Sequence, residues 1–478
     1  MKLLLEREVK NVNTSSGAIE PAPEQSLLSL ENASSQLPGL SDAVLIQYGE
    51  GRGRYALAAR DIRPGELLAV ERAQVSALDK EERLSHCWHC LRCAECPLPC
   101  LACSGVMFCS PACRDLAITS YHQYECGHTD TLYQANLGAW LLAYRALTTR
   151  PWHHFRDNSH HWLQHDEKAG LTAGQVYRSE DLDSFHNLVT HDGAGGKQAP
   201  ELMMQCHVVV FLVRMMVTVG YLGTSVGGLE FGEEEMMAGQ ILHHFMRAAY
   251  YNTHEITELE TVGDKFEENK VRRIGRVTNP TLALINHSCD PNYRRVSVGT
   301  VTYGFACKPI RKGREISDLY CKPFSISDLA SRQKYLSKYN FSCQCPACAQ
   351  DWPQLHSLQT GLEDLPVKQY NQNTKQINNQ VSNSLQQVNH LTRYLLQIKR
   401  VLRAQENYSR TEKKVGVGEG DLVAGIVSVL EELHKLLKAP HQQIVFWENR
   451  LHQALLQSHA ARVKMTGSVN GRILMPDY

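Results

Sequence analysis

Nine of the sixteen cysteines in this 478-residue chain fall between Cys87 and Cys126, and three more crowd Cys343–Cys348. A segment of about 40 residues cannot enclose a sufficient apolar core, so disulfides or metal must staple it. Disulfide scaffolds are usually short secreted chains behind a signal peptide. Here the start, Met1-Lys2-Leu3-Leu4-Leu5-Glu6-Arg7-Glu8, has only three consecutive apolar residues and is not expected to be one. Thiols of an intracellular chain stay reduced, so metal is the expected staple.

The spacing supports this. Cys87-x2-Cys90, Cys100-x2-Cys103, Cys109-x3-Cys113 and His122-x3-Cys126 supply eight ligands, enough for two closed tetrahedral zinc sites of structural character. Cys93 and Cys96 continue the same spacing and stand as alternatives to Cys87 and Cys90; His86, His89 and His128 compete with His122. The apolar core missing from so short a segment would be replaced by metal binding.

Elsewhere the pattern alternates between short strands and helices. Residues 10–38 read as a polar linker or disordered lead-in. From Ala43, apolar runs are split by Gly49, Gly51, Gly53 and Pro64-Gly65, which suggests short strands. Leu132, Ala135, Trp140, Leu141, Tyr144 and Leu147 recur at helical spacing. An alternating, β-branched run returns over Arg295–Lys308. The apolar stretch Leu202–Leu222 is interrupted by Gln205, His207, Arg214 and Thr218, so it reads as a buried helix of a soluble protein rather than a membrane span. Residues 368–390 hold 12 Asn or Gln. Two helices then follow, one capped by Asp421 with Ile426, Leu430, Leu433 and Leu437 on one face, the next opened by Pro440. Lys and Arg balance Asp and Glu, 50 against 50, which argues against a phosphate-neutralising surface. Cys87–Cys126 contains only Arg92 and Arg114 as strong bases, so direct nucleic-acid binding is not expected.

The eight-ligand array ending in His-x3-Cys resembles a MYND zinc finger. Asn286-His287-Ser288-Cys289-Asp290-Pro291-Asn292 resembles the signature of SET-domain lysine methyltransferases, and Cys343-x-Cys345-x2-Cys348 is similar to their zinc-binding post-SET segment. A MYND finger within a split SET domain is the arrangement of the SMYD family, over roughly residues 43–350. The order also resembles the tetratricopeptide-bearing branch. That branch's N-terminal repeat block is not seen here, so a short form and a looser kinship stay open.

The resemblance implies an α+β fold: a small-sheet SET fold with an inserted zinc finger, a post-SET zinc site and a helical C-terminal domain. The implied divisions are 1–38, 39–86 and 251–324 for lead-in and SET halves, 87–126 for the finger, 127–250 for a helical insert, 325–352 for the post-SET segment, and 361–478 for helices similar to tetratricopeptide repeats. It implies methyl transfer from S-adenosylmethionine to a lysine of a histone or non-histone protein, with three zinc ions. Tyr320 would be the catalytic tyrosine. Arg52, Gly53, Arg54, Asn252, Asn286, His287, Tyr320 and Phe341 would contact the cofactor, and Tyr339 would wall the lysine channel. Cys289 would complete a tetrad with Cys343, Cys345 and Cys348. Aromatic walls suit a sulfonium or methylated ammonium.

Four positions depart from the family pattern: Cys321 for a common Gly, Asp318-Leu319 for an acidic-Asn pair, Asn279 for an aromatic, and Arg314 for a Glu. His186 stands where relatives tend to carry Tyr, and no role is transferred to it. The alternative function is a catalytically weak or inactive adaptor that binds partners through the finger and C-terminal helices. Proline-rich peptides are the expected finger ligands, the chain is expected to be a monomer without a membrane partner, and its location is expected to be cytoplasmic and nuclear.

Overall fold

The computed structural model describes residues 28–50, 52–164, 176–190, 199–223, 230–260, 270–358 and 419–464. Of the lead-in read over 1–38, residues 1–27 lie outside the described residues, as do the polar stretch 368–390 and much of the C-terminal division; within 28–38, Leu37 is buried in the core and Ala33 bridges Ser41. What is described mixes helices with small antiparallel sheets, an α+β architecture.

In chain order the strands are β1 (Val44–Gly49), β2 (Gly53–Ala58), β3 (Leu67–Arg72), β4 (Val75–Leu78), β5 (Leu98–Pro99), β6 (Met107–Phe108), β7 (Thr253–Glu260), β8 (Lys270–Thr278), β9 (Tyr293–Val298), β10 (Val301–Ala306) and β11 (Glu315–Ile316). The helices needed here are α1 (Pro111–Ile118), α2 (Trp140–Thr148), α3 (Ala199–Thr218), α4 (Glu233–Asn252), α5 (Leu329–Leu336), α6 (Glu419–Leu436) and α7 (Gln442–Lys464). Three sheets of three strands run β1-β2-β11, β3-β10-β9 and β4-β8-β7, with β5-β6 a small hairpin. In each larger sheet, strands from before residue 80 pair with strands from after residue 250. The intervening finger and helices are therefore an insertion between two halves of one sheet system.

β10 is buried along its whole length, although its sequence alternates. Its two faces meet different partners. Val301, Tyr303 and Phe305 pack beneath Ile426, Leu430, Leu433, Trp447 and Leu451 of α6 and α7, while Ala306 joins the core of β1 and β2 around Ala56 and Ile316. The two C-terminal helices thus roof the sheet. The helix expected to be capped by Asp421 begins earlier, at Glu419.

Two expectations need correction. The stretch read as a buried helix is a helix, α3, but its apolar burial is confined to the second half: Leu212, Val213 and Met216 pack into the helical core with Ile241, Leu242 and Phe245 of α4, whereas Leu202, Met203 and Met204 are 46%, 63% and 50% exposed. By length and composition alone Glu201–Thr218 could cross a membrane, the one such helix among the described residues. The finger, too, is not without an apolar core. Trp88, Leu91, Val106, Phe108 and Ala117 pack onto Leu78 of β4, Ile256 of β7 and Ile274 and Val277 of β8. A short segment gains burial by borrowing the sheet it lies on.

Candidate active site and metal clusters

The twelve expected ligands gather into three tetrads: Cys87, Cys90, Cys109 and Cys113; Cys100, Cys103, His122 and Cys126; and Cys289, Cys343, Cys345 and Cys348. Within each, the ligand atoms lie within 4.8 Å of one another. The finger tetrads interleave, the first and third ligand pairs forming one and the second and fourth the other. Local structure explains this. The β5-β6 hairpin folds the chain back, and α1, capped by Ser110 with Pro111 in its first turn, carries Cys113 beside Cys109 at 3.6 Å. Cys93 and Cys96 are exposed. Two of the three competing histidines are engaged elsewhere, His86 with Ser85 and Glu258 and His89 stacked on Tyr121, and His128 is not part of either tetrad. Thiolate and imidazole donors in fours suit closed zinc sites.

Behind His122 lies a buried polar chain. Its Nε2 is 3.7 Å from Cys103 Sγ, and its Nδ1 is 3.8 Å from Glu125 Oε2. Glu125 accepts from Trp88 Nε1 at 3.0 Å and from Arg145 Nε and Nη2 at 2.6 and 3.0 Å. Burial alone would raise the Glu125 pKa, but Arg145 and His122 hold it below the usual carboxylate value. The Arg145 guanidinium also lies over the rings of Trp88 and Tyr121 and donates to Ser76 O. One side chain of α2 therefore ties the finger to the sheet.

The signature segment threads beside the stretch that carries Tyr320. Asp318 N donates to Asn286 O at 2.8 Å, and Ser288 N to Asp318 O at 2.9 Å. Asn292 clamps the same stretch, its amide donating to Glu315 O at 2.8 Å and accepting from Ser317 N at 2.9 Å. Tyr320 N donates to His287 Nδ1 at 2.9 Å, and Tyr320 Oη to Ile285 O at 2.8 Å. The 3-10 turn before Ile285 is seated by buried Glu71, which accepts from Thr281 N and Leu282 N, each at 2.9 Å. Burial pushes the Tyr320 phenol well above its ordinary pKa, Asp318 adding to the effect while Arg295 and Arg54 oppose it. At neutral pH this hydroxyl stays protonated.

Tyr320 opens into a cleft of about 1550 Å³ shared with Tyr251, Asn252, Cys321, Arg295 and Tyr339. Tyr339 lies 5.2 Å from Tyr320, 6.1 Å from Tyr251 and 6.4 Å from Phe341, centroid to centroid, and Phe341 lies 6.3 Å from His287. Tyr251 was not singled out from the sequence, although Tyr250-Tyr251 precedes Asn252 and was the available signal. Arg295, paired to Asp318 at 2.7 Å, and buried His254, held neutral by burial and by Arg295, were also missed. Their strands carry enough charge to read as solvent-facing.

The expected cofactor residues divide by geometry. Gly53 sits at φ +71°, with open space where a side chain would start. Arg52 is half-exposed, ion-paired to Glu315 and laid over Tyr55 at 4.2 Å. Arg54 is buried, and its Nη1 has no hydrogen-bond partner. A buried orphan cationic donor calls for an anion. Asn252 gives both amide hydrogens away, to Val189 O and Ala248 O at 2.8 Å, so only its carbonyl oxygen can serve a ligand. His186 is a core residue packed among Trp162, His244 and Phe245. Asn279 is fully buried behind β10, accepting from Thr302 at 3.4 Å.

The SET domain family model matches residues 53–321. The chain is 26% identical over 416 residues to the Protein-lysine N-methyltransferase SMYD4 of Pongo abelii, a match covering 73% of this chain and 51% of that one. To the protein of the same name from Gallus gallus it is 27% identical over 363 residues, covering 61% and 47%. To a SET and MYND domain-containing protein of Dictyostelium discoideum it is 21% identical over 330 residues, covering 66% and 83%. The chain spans about half the length of the SMYD4 relatives it matches. With more than half its residues matched by the family model and its relatives carrying SET and MYND names, the chain belongs to the SET domain family, in its SMYD group.

Proposed function

We propose that the protein is a protein-lysine methyltransferase that uses S-adenosylmethionine and acts on a lysine side chain of a polypeptide. The observation that carries this is the placement of Tyr320. Its hydroxyl hydrogen is committed to Ile285 O and its backbone to His287, at the mouth of a tyrosine-lined cleft. The bound cofactor supplies the methyl group on a sulfonium carbon. The protein's own task is alignment and desolvation rather than acid–base chemistry.

With its hydrogen donated to Ile285, Tyr320 Oη keeps lone pairs that accept from an amine N–H and so point the amine's own lone pair elsewhere. The Tyr251, Tyr339 and Tyr320 rings exclude water. Desolvation favours the neutral amine, the form that has a lone pair to give. Arg54 Nη1, buried and unsatisfied, suits a carboxylate such as that of the methionine moiety. The open space at Gly53 admits close approach of a ligand, and Asn286, His287 and Phe341, whose ring lies 6.3 Å from that of His287, are assigned to the cofactor, Phe341 to its adenine.

On this reading, each tetrad takes one zinc ion, three in all, with structural roles. Proline-rich partner segments engage the finger, and the monomeric protein works in cytoplasm and nucleus on protein substrates. The test is incubation with labelled S-adenosylmethionine and cell extract, followed by hydrolysis to amino acids. Label in methyl-lysine supports the reading. Cofactor binding without label in any protein would leave the adaptor function in its place.

A further inference from the structure

Cys321 follows Tyr320 directly and lines the same cleft, so solutes in the cleft reach it. It is not a member of the third tetrad, yet it stands against it. Cys321 Sγ is 3.8 Å from His287 Nε2, and Cys289 Sγ is 3.3 Å from the same nitrogen. The ligand atoms of His287, Cys289 and Cys321 all lie within 4.8 Å of one another. Cys289 itself is fully buried, 3.4 Å from Cys348 Sγ. An accessible thiol thus touches a structural cluster through one of its own ligands.

We propose that Cys321 and Cys289 form an oxidation site, in which hydrogen peroxide converts the pair into a disulfide that withdraws Cys289 from its tetrad. The accessible Cys321 sulfur attacks one peroxide oxygen, the O–O bond breaks, and water leaves a sulfenic acid on Cys321. Cys289, held in the tetrad as a thiolate, gives up its place as a ligand and attacks that sulfur; the S–O bond breaks, and the hydroxide released takes a proton from solvent to leave as a second water. One thiol, one thiolate, one proton and one peroxide become one disulfide and two waters, so atoms, charge and electrons balance. An S–S bond is about 2.05 Å long, so the sulfurs must close by side-chain rotation from within their present spacing.

The consequences follow from the connectivity already described. Cys343, Cys345 and Cys348 alone fall short of the four ligands that a closed zinc site uses. Cys289 lies two residues from His287, whose ring holds Tyr320 N. Oxidation therefore loosens the segment that carries Tyr339 and Phe341 and disturbs the seat of Tyr320 together. The inference rests on the tetrad being metal-bound and not on which substrate is methylated.

The test uses the full chain loaded with zinc and titrated with hydrogen peroxide. Released zinc is read with a chelating dye, and linked peptides by mass spectrometry under non-reducing conditions. The expected result is a Cys289–Cys321 linked peptide appearing together with loss of one zinc ion, both reversed by dithiothreitol and added zinc. Cys321→Ser and Cys321→Ala should need severalfold more peroxide to lose that ion. Absence of the linked peptide from the oxidised native chain would overturn the proposal whatever the variants do. So would zinc loss from either variant, confirmed to hold its full metal complement beforehand, at the native peroxide dose.

Discussion

Lys308 Nζ donates to Asp290 Oδ1 at 2.5 Å and lies 3.5 Å from Glu448 Oε1, so one buried ammonium joins the signature segment to α7. Burial alone would lower the Lys308 pKa, but the two carboxylates hold it above its ordinary value. The cation stays charged at any working pH. Through it the C-terminal roof is fixed to the residues following Cys289, and His452 Nε2 of α7 donates to Arg295 O at 3.0 Å.

Removing that charge should be costly. Lys308→Met leaves Asp290 and Glu448 facing each other with only His434 beside Glu448 and Arg294 near Asp290, and breaking a buried pair in this way costs about 3–5 kcal/mol. Glu448→Gln, which keeps a polar partner, should cost clearly less. Urea unfolding of both variants measures the difference. Equal and small losses would mean that solvent already satisfies the site.

The finger lock makes a separate prediction. Glu125 stands behind His122 and is itself held by Arg145. Carboxylates that hold a ligating histidine in this way tune metal affinity by about 10–100-fold. Glu125→Gln should therefore weaken one finger zinc by about that factor in chelator competition and leave the other two ions unchanged.

Much of the site was legible because its chemistry needs fixed residue types at fixed spacing. Four ligand pairs, the signature segment and the Cys343-x-Cys345-x2-Cys348 run named the twelve residues that gather into tetrads, and the resemblance named Tyr320, which lines the cleft. What was not legible came from distant packing. The pairing of β4, β7 and β8 joins residues near 75 to residues near 275, and β7 and β8 are too charged to announce themselves as strands. The burial of β10 on both faces depends on helices more than a hundred residues later. Arg52 and Arg54 look alike in sequence. Only the partner strand β11, which brings Glu315 to Arg52, separates an ion-paired surface arginine from a buried unsatisfied one.

That separation predicts unequal effects on cofactor binding. Arg54→Met should raise the Kd for S-adenosylmethionine tenfold or more, about 1.4 kcal/mol or greater. Arg52→Ala should change it little. Isothermal titration of both variants gives the comparison, and equal losses would count against Arg54 as the anion-facing group.

Glu71 should give the fold a pH dependence opposite to that of an ordinary ion-paired carboxylate. Burial raises its pKa from 4.5 to about 7, against the pull of its hydrogen bonds to Thr281 and Leu282. The folded state then holds a proton that the unfolded state has lost, so this contribution to stability is full below about pH 4.5 and falls as pH rises to about 7. The whole shift corresponds to roughly 3 kcal/mol. Glu71→Gln should remove that slope. Melting temperatures of the native chain and the variant between pH 5 and 7.5 measure it, and parallel curves would place the carboxyl in an ionised state throughout.

The proposed chemistry converges on the Tyr320 hydroxyl, and its removal is the decisive substitution. Methyl transfer to protein lysine is measured at saturating S-adenosylmethionine for the native chain and Tyr320→Phe, with cofactor affinity measured alongside. The variant should bind cofactor within about threefold of the native value, a difference below about 1 kcal/mol, while its transfer rate falls by about 100-fold or more, about 2.7 kcal/mol of barrier or greater. Native-level transfer by Tyr320→Phe would contradict the proposed chemistry.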